Sequence, residues 1–307
     1  MSLASTFGIA KLALDFAHPI FIIAVRMIVA GLLLLCINRM VGGTIRDSWA
    51  HKWLFAQLAF FHIYCAFIPE FWALQYLSGA KVCLVYSFSP CVTAILEYIL
   101  YAKRLTKNQL RGMFVGFLGL VFMMSIPNDW YQVGARTWFG LPDLALLLSV
   151  VSASYGWILL KRLTLQYNYS LTLANGISML VAGVAALITT LCIPGAFGIT
   201  STYTADTGIW LFFAQRVGSQ GANILMFGTY IALLILIANV VFYNAYGYLM
   251  RFYSPTFLSF AGFTAPLFAA FYDWLLFGTI PPVAFFMAIL AIFYGLYLFY
   301  QDELILA

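Results

Sequence analysis

The sequence predicts an all-α integral membrane protein with ten transmembrane helices in two inverted five-helix repeats, both termini facing the cytoplasm. Composition, an internal duplication and the sidedness of the cations carry that prediction. Hydrophobic residues make up 64% of the 307 and charged residues 8%, whereas a soluble domain carries about 25% charged residues. A water-soluble core cannot absorb so much apolar surface, so lipid is the solvent for most of the chain. An outer-membrane barrel would show alternating segments of ~10 residues instead of continuous apolar runs. The formal charge of +5 does not point to nucleic acid, because the basic residues stand in short loops between apolar runs.

The duplication is read from Ser78 to Leu120, an apolar span with a central Pro90, the acid Glu97, a basic turn and a glycine-bearing span. An offset of 176 residues carries Ser78 to Ser254, Pro90 to Pro266, Glu97 to Asp273, Gly112 to Ala288 and Gly119 to Gly295. An ungapped register that matches a proline, an acid and a small-residue face reads as an internal repeat.

A bilayer core needs about 20 apolar residues per helix. By that measure spans fall at 2–15, 19–38, 53–77, 79–102, 106–126, 141–163, 171–193, 223–249, 255–277 and 281–300. The first covers only ~21 Å of a ~30 Å core. It lacks the basic region and cleavage site of a signal peptide, and reads as a short or truncated helix. With the N-terminus inside, Arg39, Arg46, Lys52, Lys103, Arg104, Lys107, Arg111, Lys161, Arg162 and Arg251 fall in cytoplasmic loops. Only Lys81, Arg136 and Arg216 fall outside, which is the positive-inside bias. The polar segment 127–140 separates five spans from five, giving repeats 1–135 and 136–307. Five is odd, so the copies cross the membrane in opposite senses, the architecture of alternating-access transporters. The long polar stretch 194–222 faces outward. The bias and the lack of a targeting sequence fit a multi-pass protein of the cell inner membrane, acting as a monomer or weak dimer.

AKLALDFAHPIFIIAVRMIVAGLLLL resembles the first two helices of the drug/metabolite transporter superfamily, in its EamA-like ten-helix branch. There a Lys ends the first helix, and an Arg stands in an apolar second helix before a small Ala-Gly pair. Here those positions are Lys11, Arg26, Ala30 and Gly31. AKVCLVYSFSPCVTAILEYILYAKRLTKNQLRGMFVGFLGLVFM is similar to that family's fourth and fifth helices. The resemblance implies two EamA-type repeats and secondary transport of a small metabolite, with no cofactor. The superfamily includes S-adenosylmethionine carriers, and a chain that is 18% aromatic with intramembrane acids suits such an adenine-bearing cation. The alternative is proton-coupled export of amino acids or drugs.

Ionisable groups inside a bilayer cost about 2.5–3.5 kcal/mol each on insertion scales, so each asks for a reason. Glu70 follows Pro69 deep in the third span, where a helix break frees carbonyls. Flanked by Phe71 and Trp72, it suits a cationic head with rings beside it; an ion pair with Arg26 or Lys81 is the alternative. Glu97 and Asp273 occupy related places in the two copies and read as gating or coupling acids, or as structural hydrogen-bond acceptors. Arg26 reads as a structural or gating partner. Lys81 does too, or else it snorkels to the interface. Tyr86 and Ser89, before and beside Pro90, are substrate-facing candidates, as are Asn239, Tyr243 and Asn244 in the eighth span. Asn239 and Tyr243 share a helix face. His62 among Phe60, Phe61 and Tyr64 reads as a buried histidine, with proton carriage as its alternative.

The five cysteines show no ligand spacing and read as small apolar packing residues, so no metal site is expected. No GxxxxGK[ST], HExxH or GxSxG run occurs. The expected activity is therefore transport rather than ATP-driven pumping or intramembrane catalysis. The catalytic assignment is none, and the partners are a small-molecule substrate and the bilayer.

Overall fold

The computed structural model describes residues 9–10, 12–14, 16–43, 50–77, 82, 85–124, 140–198, 219–264 and 283–306. Every element among them is helical. We label α1 (Pro19–Met40), α2 (Lys52–Leu74), α3 (Ser89–Tyr101), α4 (Lys107–Met124), α5 (Leu141–Gln166), α6 (Leu171–Cys192), α7 (Ile224–Leu249), α8 (Pro255–Ala261) and α9 (Val283–Leu306). Five of these, α1, α2, α5, α6 and α7, are long and apolar enough to cross a membrane, and α3 is a shorter apolar helix. Their outer faces carry large apolar side chains such as Ile99, Leu141, Ile188 and Leu290, all exposed. Such a surface suits contact with lipid. Lys11, Lys81, Pro266 and Asp273 lie outside the described residues.

Helix starts follow from local chemistry. Pro19, Pro90 and Pro255 sit in first turns, where a missing N–H costs nothing. Ser170 and Ser254 accept from Leu173 N and Phe257 N, each at 3.2 Å. Thr106 and Gln109 form a reciprocal capping box at the start of α4. Pro90 therefore opens α3 after a turn at Ser87–Phe88, rather than standing in the middle of a long span. Pro69 behaves the other way. The helix continues through it to Leu74, and α2 instead widens to π-helical turns over Leu58–Tyr64. Such a widening is one of the recognised ways a helix absorbs a disturbed ladder. A second π stretch occupies Ile235–Phe242 in α7, near the place that the 176-residue offset reaches from Leu58–Tyr64.

Small residues let backbones meet at two crossings. Where α1 crosses α6, a Cβ on Gly31 would stand 2.6 Å from Leu180 N, and one on Gly183 would stand 2.7 Å from Ile28 N. Where α4 crosses α9, a Cβ on Gly112 would stand 2.5 Å from Gly295 O, and one on Gly295 would stand 2.5 Å from Gly112 O. The two crossings join helices assigned by the sequence to different repeats. With no hydrophobic drive between helices in lipid, such close packing holds them together.

Gly183→Val must push α6 off α1, and overpacking of this kind costs about 1–3 kcal/mol. Gly228→Ala meets nothing within 4 Å. Thermal unfolding in detergent should show a clear loss of melting temperature for the first variant and none for the second.

Candidate functional site

The helices enclose a cavity with about 150 Å³ of room for the centres of water molecules, many times the ~10–15 Å³ that one water needs. Among the described residues its charged lining is one cation and one acid. Arg26 enters from α1 and Glu70 from α2; they are 2% and 7% exposed. Tyr86, Ser87 and Ser89 enter from the turn that opens α3, where the break before Pro90 leaves polar side chains at the cavity. Trp157 comes from α5, while Phe242, Tyr243 and Tyr246 come from α7.

Both charged groups have polar partners. The Arg26 Nε donates to Asn239 Oδ1 at 2.7 Å. Its guanidinium lies over Phe67 at 5.0 Å and near Phe71 at 6.0 Å from the ring centroids, a cation–π arrangement. The Tyr86 hydroxyl donates to Glu70 Oε2. Ser149 lies 3.0 Å from the Tyr86 oxygen and donates to Ala66 O at 2.6 Å, tying α5 to α2. Glu70 therefore takes its hydrogen bond from a tyrosine rather than from Arg26.

The aromatic wall is a packed cluster. Trp157 lies 4.1 Å from Tyr246 and 5.0 Å from Tyr243 between ring centroids. His62 stands behind it, 4.4 Å from Trp157, and is 1% exposed. Gly156 makes room for that imidazole, since a Cβ there would fall 2.4 Å from His62 Nδ1. The 176-residue offset pairs Ala66 with Phe242, Phe67 with Tyr243 and Glu70 with Tyr246, and all six line the cavity.

A polar chain leads away from the wall. Tyr246 Oη lies 3.4 Å from Ser259 Oγ, and Ser259 lies 3.3 Å from Thr93 Oγ1. One turn along α3, the Thr256 hydroxyl donates to Glu97 Oε2 at 2.5 Å, and Glu97 is buried. Glu97 thus joins α3 to α8 without lining the cavity.

Of the residues singled out in the sequence, the cavity gathers Glu70, Phe71, Tyr86, Ser89, Tyr243 and Arg26. It does not gather Asn239, Asn244 or Trp72. Asn239 is fully buried, and besides accepting from Arg26 its amide nitrogen donates to Met27 Sδ and Met179 Sδ. Asn244 donates to Val240 O at 2.8 Å and accepts from Asn175. Trp72 is 36% exposed and packs on Tyr76. Asp273 and Lys81 lie outside the described residues. Phe67, Ser154, Trp157, Phe242 and Ser259 line the cavity without having been singled out. Among the described residues, no three His, Cys, Asp or Glu side chains stand close enough to hold a metal.

Comparison with known proteins bears on this architecture. The EamA-like transporter family matches residues 1–125. An S-adenosylmethionine/S-adenosylhomocysteine transporter of Chlamydia muridarum is 30% identical over 98% of this chain and 88% of its own length. A protein of the same name from Chlamydia trachomatis serovar L2 is also 30% identical, over 98% of this chain and 86% of its own. One crystal structure superimposes with a TM-score of 0.69 at 16% identity, covering 99% of this chain and 94% of its own. It shares the fold.

The Tyr86–Glu70 bond can be measured by a double-mutant cycle. Tyr86→Phe leaves a buried carboxylate without its donor, which costs about 1–3 kcal/mol. The loss of melting temperature should be smaller in the Glu70→Gln background, and equal losses in both would mean the two side chains are not coupled.

Proposed function

The chain belongs to the EamA-like transporter family, and from that premise we propose that it exchanges S-adenosylmethionine for S-adenosylhomocysteine by alternating access. It is a multi-pass membrane transporter of a small metabolite and not an enzyme. One observation carries the finer reading: a single buried cavity combines an acid, a cation and a cluster of aromatic rings. An adenine ring offers a face to stack on Trp157, Tyr243 and Tyr246, and such contacts contribute about 0.5–1.5 kcal/mol beyond burial. A sulfonium or ammonium suits Glu70 and the ring faces. Few other metabolites combine a flat heterocycle with a charged amino-acid end.

The mechanism follows from how the cavity is built. Its walls come from helices of both proposed repeats, 1–135 and 136–307, and close backbone crossings, at Gly31 and Gly183 and at Gly112 and Gly295, run between them. Rocking one repeat against the other about those crossings would expose the cavity to each side in turn. Glu97 with Thr256 is then a latch that ties α3 to α8 near the basic turn Lys103–Lys107, on the side assigned to the cytoplasm. Asp273 and Lys81 complete the gating set. Exchange requires no proton, because each substrate returns the carrier loaded. Support for the whole comes from the paired glycine crossings, the paired π stretches, the cation-rich loops and the names of the relatives. Ten spans, both termini inside and residence in an inner membrane complete the proposal.

Purified protein in liposomes preloaded with S-adenosylhomocysteine should take up labelled S-adenosylmethionine saturably, and empty liposomes should take up far less. Trp157→Ala and Glu70→Gln should each raise the half-saturation concentration about tenfold, the effect of roughly 1.4 kcal/mol. Uptake that is linear in concentration, or indifferent to preloading, would refute exchange.

A further inference from the structure

Arg26 presents an unused fork. Only its Nε is committed, to Asn239. Among the described residues neither terminal nitrogen makes a hydrogen bond, although the side chain is 2% exposed. Those nitrogens are not sealed in the core, because Arg26 lines the cavity. Asn239 itself is held by two methionine sulfurs and cannot swing away without leaving its buried amide unpaired. The protein thus fixes the guanidinium plane and leaves its planar pair of donors facing the chamber. That geometry matches a carboxylate, bidentate, better than any other small anion of its size. Glu70 is the complement. Tyr86 holds its Oε2, and Oε1 has no partner among the described residues.

We infer that Arg26 and Glu70 are the two poles of a site for an α-amino-acid head, with Arg26 taking the carboxylate and Glu70 the ammonium. This rests on the exchange reading above and deepens it. An exchanger must hold both of its substrates. The sulfonium charge is present in S-adenosylmethionine and absent from S-adenosylhomocysteine, whereas the zwitterionic head is common to both. A site anchored on the sulfonium would favour one partner and stall on the other. One anchored on the head, with the adenine on Trp157 and Tyr246, takes both. Arg26 is therefore a specificity-determining residue that excludes nucleosides lacking the carboxylate.

The test is competition against labelled S-adenosylhomocysteine uptake in proteoliposomes of the full chain. The competitors are S-adenosylmethionine, its decarboxylated analogue and 5′-methylthioadenosine. Wild-type protein should take the two parent compounds within a few-fold of each other. The decarboxylated analogue, which keeps the sulfonium and the amine, should compete about 10- to 100-fold more weakly, the range for a lost charge-assisted hydrogen bond. In Arg26→Gln the ratio between parent and decarboxylated compound should collapse toward one, and Arg26→Lys, which keeps the charge but not the fork, should fall between. The wild-type ratio stands as a test by itself if the Arg26 variants do not fold. Equal competition by the decarboxylated analogue in wild-type protein, or a ratio that survives in folded Arg26→Gln, overturns the head-group assignment while leaving exchange intact. Absence of saturable uptake of either parent by folded wild-type protein defeats the exchange reading, and the assignment falls with it.

Discussion

The burial of Arg26 is the constraint on which the rest of this structure depends. A guanidinium placed seven residues into an apolar helix must find compensation inside the protein, because lipid offers none. It finds Asn239 on α7 and the faces of Phe67 and Phe71 on α2. Those contacts fix α1 against two other helices at the depth of the cavity. α1 and α6 also cross closely at Gly31 and Gly183, and Met179 of α6 reaches the same asparagine. One costly charge thereby draws α1, α2, α6 and α7 to a common point, and the chamber opens beside it.

The buried acids obey the same logic with different partners. Glu70 is met by a tyrosine hydroxyl and Glu97 by a threonine hydroxyl, and among the described residues neither makes a direct ion pair. A hydroxyl is a neutral donor, so each acid keeps a partner that carries no charge of its own. A carrier that must release its ligand on both sides is served by acids held in this way. The aromatic wall contributes contact area with few rotatable bonds, so little conformational entropy is lost when a ring settles on it.

Class was legible in the sequence because composition alone decides the solvent. Glu70 and Tyr86 were legible because a buried acid is expensive and a proline break leaves polar groups nearby. Arg26 was visible for the same reason, but its partner was not: Asn239 is 213 residues away, and nothing local marks an asparagine as an arginine clamp rather than a ligand contact. Trp157 and Phe242 were hidden by abundance. In a chain that is 18% aromatic, the same residue types face lipid, interface and cavity, and spacing does not separate them. The π-helical turns in α2 and α7 also change which residues share a face, so counting by 3.6 loses its register where the cavity walls lie. Pro69 was expected to break its helix; the helix runs through it to Leu74.

A structure of the protein with S-adenosylhomocysteine bound shows where the transported molecule sits. Ligand density is expected in the chamber between Arg26, Glu70 and Trp157, its ring against Trp157 and Tyr246 and its amino-acid end between Arg26 and Glu70. Density elsewhere, or a bound ligand whose head points away from both charged residues, would contradict it.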